Sequence, residues 1–195
     1  MKASRRLLSI LFLLTALIAC SSKKKHKSDT KANDPQTKTQ SHKTVAQDVE
    51  QAQFTTLNGK KISISDYKGK LVVLDFWATW CKPCVKSLPA MSKVQKEFPN
   101  KLKIIAVNPG FTDTKKDLQS FASNHDYDLT YAIDSNNLHQ KLHIRGIPYK
   151  VYINPQGKFI KHTMGSHGPR GDYRHVKRMV KKYTSHQKKH TKTHS

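Results

Sequence analysis

Cys81 and Cys84 are separated by two residues and lie between an apolar run, Leu71 to Leu74, and an amphipathic one, Val85 to Phe98. The stretch joining them reads Asp75-Phe76-Trp77-Ala78-Thr79-Trp80-Cys81-Lys82-Pro83-Cys84. Such a junction puts the first thiol at the start of a helix, where the amide dipoles favour a thiolate, and Lys82 adds a cation beside it. A drop of one to two units from the ordinary thiol pKa of about 8.5 corresponds to roughly 1.4 to 2.7 kcal/mol and leaves Cys81 substantially ionised near neutral pH. Cys81 is then the nucleophile toward a disulfide. Cys84, one turn further along, is expected to be more buried and to resolve the mixed disulfide. Asp75 is the one acid in an apolar strand. Either it is buried, with a raised pKa that suits it to take the proton from Cys84, or it faces solvent at a strand end. Trp77 and Trp80 are read as packing beside the dithiol, with Trp80 shaping the face that partners touch.

The elements that position these residues follow from pattern. Asn58-Gly59 between two short strand-like runs predicts a hairpin over Phe54 to Ile64. Leu71 to Trp77 and Leu102 to Val107 read as buried strands, with a helix from Val85 to Phe98 between them that contains Pro89. A helix over Asp117 to His125, a strand over Leu129 to Ile133 and a short helix near Leu138 and Leu142 come next. Tyr149 to Ile153 and Lys158 to Thr163 form an antiparallel pair about Asn154-Pro155-Gln156-Gly157. Asp172 is expected to open the closing helix, with Tyr173, Val176, Met179, Val180 and Tyr183 on its apolar face. This order predicts an α/β sandwich, a central mixed sheet with helices on both faces and an N-terminal β-hairpin.

The ends of the chain are of a different kind. Met1 to Ala19 has a basic start, with Lys2, Arg5 and Arg6, and then an apolar run from Leu7 that is too short to span a bilayer but suits a signal peptide. Leu17-Ile18-Ala19-Cys20 resembles the lipobox of bacterial lipoproteins, which implies diacylation of Cys20; an ordinary cleaved signal is the alternative. Two acyl chains suffice for stable anchoring. Residues 20–51 read as a basic tether too poor in apolar residues to order itself, residues 52–183 as one domain, and residues 184–195 as a frayed Lys- and His-rich tail.

The formal charge of +23 is extreme for 195 residues. The cations are heaviest in the low-complexity ends and no nucleic-acid motif appears, so nucleic acid is discounted. Anionic lipid or an anionic wall polymer is one expected partner, and a solvated surface with no specific partner is the other reading. The three cysteines, Cys20, Cys81 and Cys84, are too few for a disulfide-stapled fold, so they are read as chemical. Haem attachment fails because Val85 follows Cys84, and one C-x-x-C with tail histidines is a weak zinc site. No cofactor beyond the dithiol itself is expected.

Asp75-Phe76-Trp77, Trp80-Cys81-x-Pro83-Cys84, Pro89 and Gly146-Ile147-Pro148 together resemble the thioredoxin superfamily, and most closely the membrane-anchored thioredoxin-like proteins of the TlpA/ResA type, over about Gln53 to Tyr183. The resemblance implies a thioredoxin-like three-layer sandwich and a cis peptide bond before Pro148. It also implies that the backbone of Ile147 pairs with the substrate, with Trp80, Lys82 and Pro83 around it. Lys82 stands where cytoplasmic thioredoxins commonly have Gly, and Tyr149 where Thr is usual. Asp75 follows the thioredoxins, whereas the ResA type tends to differ there and often carries a Glu where this chain has Asn108-Pro109-Gly110-Phe111. Pro83 and Ile147 resemble the reducing members, implying a monomeric, extracytoplasmic reductase of disulfides in exported proteins, methionine sulfoxide reductases among them, supplied by a membrane dithiol electron carrier. A dithiol oxidase of exported proteins is the alternative, and a non-catalytic lipid-anchored wall-binding protein is the alternative of another class.

Overall fold

The computed structural model describes residues 45–185; Cys20, the expected leader, most of the expected tether and the tail from residue 186 lie outside the described residues. Its strands are β1 (Gln53–Thr56), β2 (Lys61–Ser63), β3 (Leu71–Phe76), β4 (Leu102–Asn108), β5 (Thr130–Ile133), β6 (Tyr149–Ile153) and β7 (Phe159–Met164). The helices are α1 (Lys82–Glu97), α2 (Lys115–Ser123), α3 (Leu138–Lys141) and α4 (Gly168–Thr184), with a 3₁₀ turn over Ile64–Tyr67.

The seven strands form one mixed sheet in the order β2-β1-β5-β4-β3-β6-β7. The parallel trio β5-β4-β3 lies at the middle, joined by crossovers through α1 and α2, and the two hairpins flank it antiparallel. At the first hairpin the Gly59 N–H donates to Thr56 O at 2.9 Å, and φ of +87° at Gly59 is a conformation that glycine adopts without a Cβ clash.

Every residue of β3 is buried, which is why this strand is apolar throughout except at Asp75. Val72, Leu74 and Phe76 face one layer with Ile105, Val107, Val151 and Ile153, covered by Val49, Ile64, Leu138 and Ile144. Leu71 and Val73 face the other with Ile104 and Tyr152, covered by Met91 and Val94 of α1 and by Val176, Met179 and Val180 of α4. Each such aliphatic side chain contributes about 1.5 to 3 kcal/mol on burial. A third cluster, Trp77, Ala78, Cys81, Cys84, Leu88, Ala106 and Leu118, closes around the dithiol.

Three boundaries differ from expectation. Structure packed on the domain is present before residue 52: residues 45–50 are helical, Val49 is fully buried, and Glu50 receives hydrogen bonds from Lys158 Nζ at 2.8 Å and from the Phe159 N–H at 3.3 Å. Asp48 adds an ion pair to Lys141 Nζ at 3.9 Å, so a buried valine and two acids dock this segment. The second helix begins at Lys115 because Thr114 and Asp117 form a reciprocal capping box, with Thr114 Oγ1 accepting the Asp117 N–H at 3.2 Å. The closing helix begins at Gly168 and not at Asp172. Its N-cap is His167, and Asp172 is a buried side chain inside the first turns.

Candidate active site

Strand β3 ends at Phe76, and five residues later Cys81 caps α1, its Sγ accepting the Cys84 N–H at 3.3 Å. Proline in the first turn suits this position, since its missing N–H would have had no helical partner. Cys81 and Cys84 form a disulfide with Cα atoms 5.2 Å apart. Burial does not separate the two sulfurs as expected: the cysteines are 4% and 2% exposed. Both are covered by Trp77, Leu88 and Leu118. What distinguishes them is position on the helix, because only Cys81 sits at the N-cap with an amide pointed at its sulfur.

The loop between β3 and α1 is held by the loop after β4. Thr79 donates from N and Oγ1 to the Asp113 carboxylate at 2.9 and 2.6 Å, and Asn108 Nδ2 donates to Asp113 Oδ2 at 2.8 Å and to Trp77 O at 3.2 Å. Trp80 Nε1 donates to Thr112 Oγ1 at 2.6 Å while the indole stays 55% exposed. Sequence reasoning misses Asn108, Thr112 and Asp113 as site residues. A separation of 34 residues between Thr79 and Asp113 leaves no local signal for them.

Asp75 is buried, not solvent-facing, and it is not alone. It lies opposite Lys150 in the β3–β6 register, with Nζ 3.3 Å from Oδ1, and the same Nζ is 3.9 Å from Asp172 Oδ2. Neither Lys150 Nζ nor Asp75 Oδ1 completes a hydrogen bond. Burial pushes the Asp75 carboxyl above the ordinary aspartate range; the Lys150 charge pulls it back, and Asp172 pushes it up again. Asp172 is also raised by burial, but hydrogen bonds from Ser166 and Ser87, the Lys150 charge and the His167 N–H outweigh that and hold it below the ordinary range. Ser87 is on α1, so this polar chain runs from the dithiol helix through α4 and β6 to β3.

The Ile147–Pro148 peptide bond is cis. Ile147 packs against the dithiol cluster, and its backbone N–H and C=O make no hydrogen bond among the described residues. Pro148 O accepts the Gly165 N–H at 2.8 Å, which brings the end of β7 alongside. Lys82 and Pro83 are exposed beside Cys81. Trp80, Phe111 and Met164 are the exposed large apolar side chains among the described residues, at 55%, 45% and 71%. They follow or end β3, β4 and β7 at the sheet end where Phe76 pairs with Tyr149 and Tyr149 with Met164. Among the described residues no group of three or more His, Cys, Asp or Glu side chains is placed to hold a metal ion.

A mixed sheet with a disulfide at the N-terminus of its first crossover helix, facing a cis-proline loop, defines a thioredoxin-like fold with a redox-type C-x-x-C site. The chain belongs to the AhpC/TSA family, which it matches over residues 44–162. It is 40% identical over 105 residues to the thioredoxin-like protein YneN of Bacillus subtilis, covering 52% of this chain and 61% of that one. It is 35% identical over 111 residues to the thiol-disulfide oxidoreductase ResA of the same organism, covering 56% and 61%. The match therefore spans about three fifths of the length of these curated relatives. Among solved structures, the pneumococcal exposed lipoprotein thioredoxin Etrx1 of Streptococcus pneumoniae superposes with a TM-score of 0.57 at 29% identity, covering 67% of this chain and 97% of that one.

Proposed function

We propose that this chain is a thiol-disulfide oxidoreductase that reduces disulfides in exported proteins. The observation that carries the reading is the Cys81–Cys84 pair at the N-terminus of α1, with the Cys84 amide directed at Cys81 Sγ. In the reduced enzyme that amide and the helix dipole stabilise a Cys81 thiolate. The thiolate attacks one sulfur of a client disulfide, the client S–S bond breaks, and the other client sulfur leaves as a thiolate. Cys84 then gives its proton to Asp75 and attacks Cys81 Sγ, the Cys81–client S–S bond breaks, and the second client sulfur leaves as a thiolate, which takes up a proton from solvent. Two electrons pass to the client, and the Cys81–Cys84 disulfide is the oxidised product.

Ile147 and Pro148 form the edge on which a client segment lies. The free N–H and C=O of Ile147 suit pairing with an extended strand. Trp80, Lys82 and Pro83, with Phe111 and Met164, supply the surrounding contact surface. The likeness to the thioredoxin-like protein YneN and the thiol-disulfide oxidoreductase ResA supports the chemistry, and the likeness to Etrx1, an exposed lipoprotein, supports the extracytoplasmic setting. Anchoring through acylated Cys20 and supply of electrons by a membrane dithiol carrier complete the reading.

Insulin reduction by the full chain tests the activity: Cys81→Ser and Cys84→Ser each abolish it, and Cys84→Ser accumulates a mixed disulfide through Cys81. Unchanged reduction in Cys81→Ser would sink the enzyme reading. Direction is tested by equilibrating the dithiol against glutathione. A potential near the thioredoxin value of about −270 mV fits a reductase, and one near that of strong oxidants, about −120 mV, turns the reading into a dithiol oxidase.

A further inference from the structure

Away from the dithiol, α4 carries a concentration of cations that nothing in the redox chemistry uses. Arg174 and Arg178 stand one turn apart, and neither makes an ion pair or hydrogen bond among the described residues. His175 lies between them in sequence and His167 caps the helix, their ring centroids 6.5 Å apart. With Gly171 these four side chains line an open cleft of 380 Å³. A Cβ at Gly171 would come within 2.6 Å of His167 Cβ, so glycine there lets the His167 ring stay against the helix at the cleft.

Three features make this more than a solvated basic face. The Nε2 atom of His175 is buried and has no hydrogen-bond partner. Lys161 of β7 adds its charge to that of Arg178 around the His175 ring, whose other neighbours are His167, Tyr152 of β6 and Asp172 of α4. Asp172 does not serve the arginines, because its oxygens already accept Ser87 Oγ, Ser166 Oγ and the His167 N–H and face Lys150. Burial first, and then the Lys161 and Arg178 charges, hold His175 below the ordinary histidine range. A bound anion relieves that repulsion and favours proton uptake at the ring.

We propose that this cleft binds a phosphate dianion, free or as the terminal group of a small monoester, between the guanidinium groups of Arg174 and Arg178 and the rings of His167 and His175. Guanidinium forks match phosphate oxygens two at a time, and the charge of the dianion offsets the cations crowded around the His175 ring. The site is independent of the redox reading, since none of its side chains lies in the dithiol cluster.

The test is titration of the full-length chain with inorganic phosphate and with glycerol phosphate, followed by calorimetry and by the histidine ring resonances. The expected result is saturable one-to-one binding that shifts the His167 and His175 signals and weakens at least ~tenfold in Arg174→Gln/Arg178→Gln. Lys115→Gln/Lys116→Gln, which removes two exposed charges elsewhere, loses less than about twofold. Binding gains strength from pH 8 to pH 6 relative to His175→Gln measured at the same pH, so the titration of the anion itself cancels. Insulin reduction is unchanged in the arginine variant. Absent saturation, or an equal loss in the lysine control, overturns the site. So does arginine-dependent binding to phosphatidylglycerol vesicles without monoester binding, which would make it a headgroup contact.

Discussion

Lys150 Nζ stands 3.3 Å from Asp75 Oδ1, each side chain at most 3% exposed, on adjacent strands and directly in register. Because the same ammonium also faces Asp172 at 3.9 Å, the lysine has two carboxylates to lose and Asp75 has one cation. Removing the lysine is therefore the harsher change. Lys150→Met is expected to lower unfolding free energy by about 3 to 5 kcal/mol, the usual result of stranding buried charge. Asp75→Asn costs less, since Lys150 keeps Asp172. In Lys150→Met/Asp75→Asn the loss is smaller than the sum of the two singles. Urea unfolding of the four proteins at pH 7 closes the cycle, and additive losses would mean that the two groups do not interact.

The pH dependence has a fixed sign. The folded-state pKa of Asp75 is raised, so its contribution to stability is fully present below the unfolded value, near 3.9, and is lost as pH rises through the folded value. Asp75→Asn removes that loss. The stability of Asp75→Asn relative to wild type should therefore climb with pH above about 4 and level off beyond the folded pKa of Asp75. A difference that stays flat from pH 4 to pH 9 would show that Asp75 titrates as an ordinary exposed carboxyl.

The buried half of this arrangement is legible in the sequence and the paired half is not. An acid inside Leu71 to Trp77 signals a buried carboxyl, and Asp75 is enclosed within β3. Lys150 sits in a strand whose other members are apolar, and a lysine there reads as an edge or solvent position until the register with Asp75 is known. Asp172 precedes an apolar helical stripe, as an N-cap does, and only the tertiary contact with Ser87 shows it buried within the helix. The hairpin at Asn58-Gly59, the crossover order and the dithiol at the helix start are all local patterns. The Asn108–Asp113 brace depends on contacts between loops 34 residues apart, for which a single chain carries no periodicity.

That brace gives a third prediction. Asp113 accepts from Thr79 twice and from Asn108 once, and the alanine variant leaves both Thr79 donors without their partner and Asn108 Nδ2 with Trp77 O alone. Asp113→Ala is expected to destabilise by about 2 to 4 kcal/mol. It should also slow attack by Cys81, because the loop that sets its approach is released. Asp113→Asn retains an acceptor oxygen and should fall between. Thermal unfolding together with single-turnover insulin reduction checks both. An intact rate in Asp113→Ala would show that the loop holds the dithiol without it.

The exposed apolar side chains separate recognition from chemistry. Trp80, Phe111 and Met164 lie at the sheet end that holds the dithiol, yet none of them is part of the buried cluster around it. Burying such side chains against a folded client stabilises its docking, whereas a small disulfide reaches the sulfurs without covering them. Trp80→Ala/Met164→Ala should thus lower kcat/KM for a protein disulfide by roughly tenfold, chiefly through KM, and leave reduction of hydroxyethyl disulfide within about twofold. Equal losses on both substrates would mean that Trp80 acts by holding the loop through Thr112, not by touching the client. Thr112→Val, which removes that acceptor while leaving the indole exposed, tells the two apart: it should spare protein-disulfide reduction if the indole face is what the client covers.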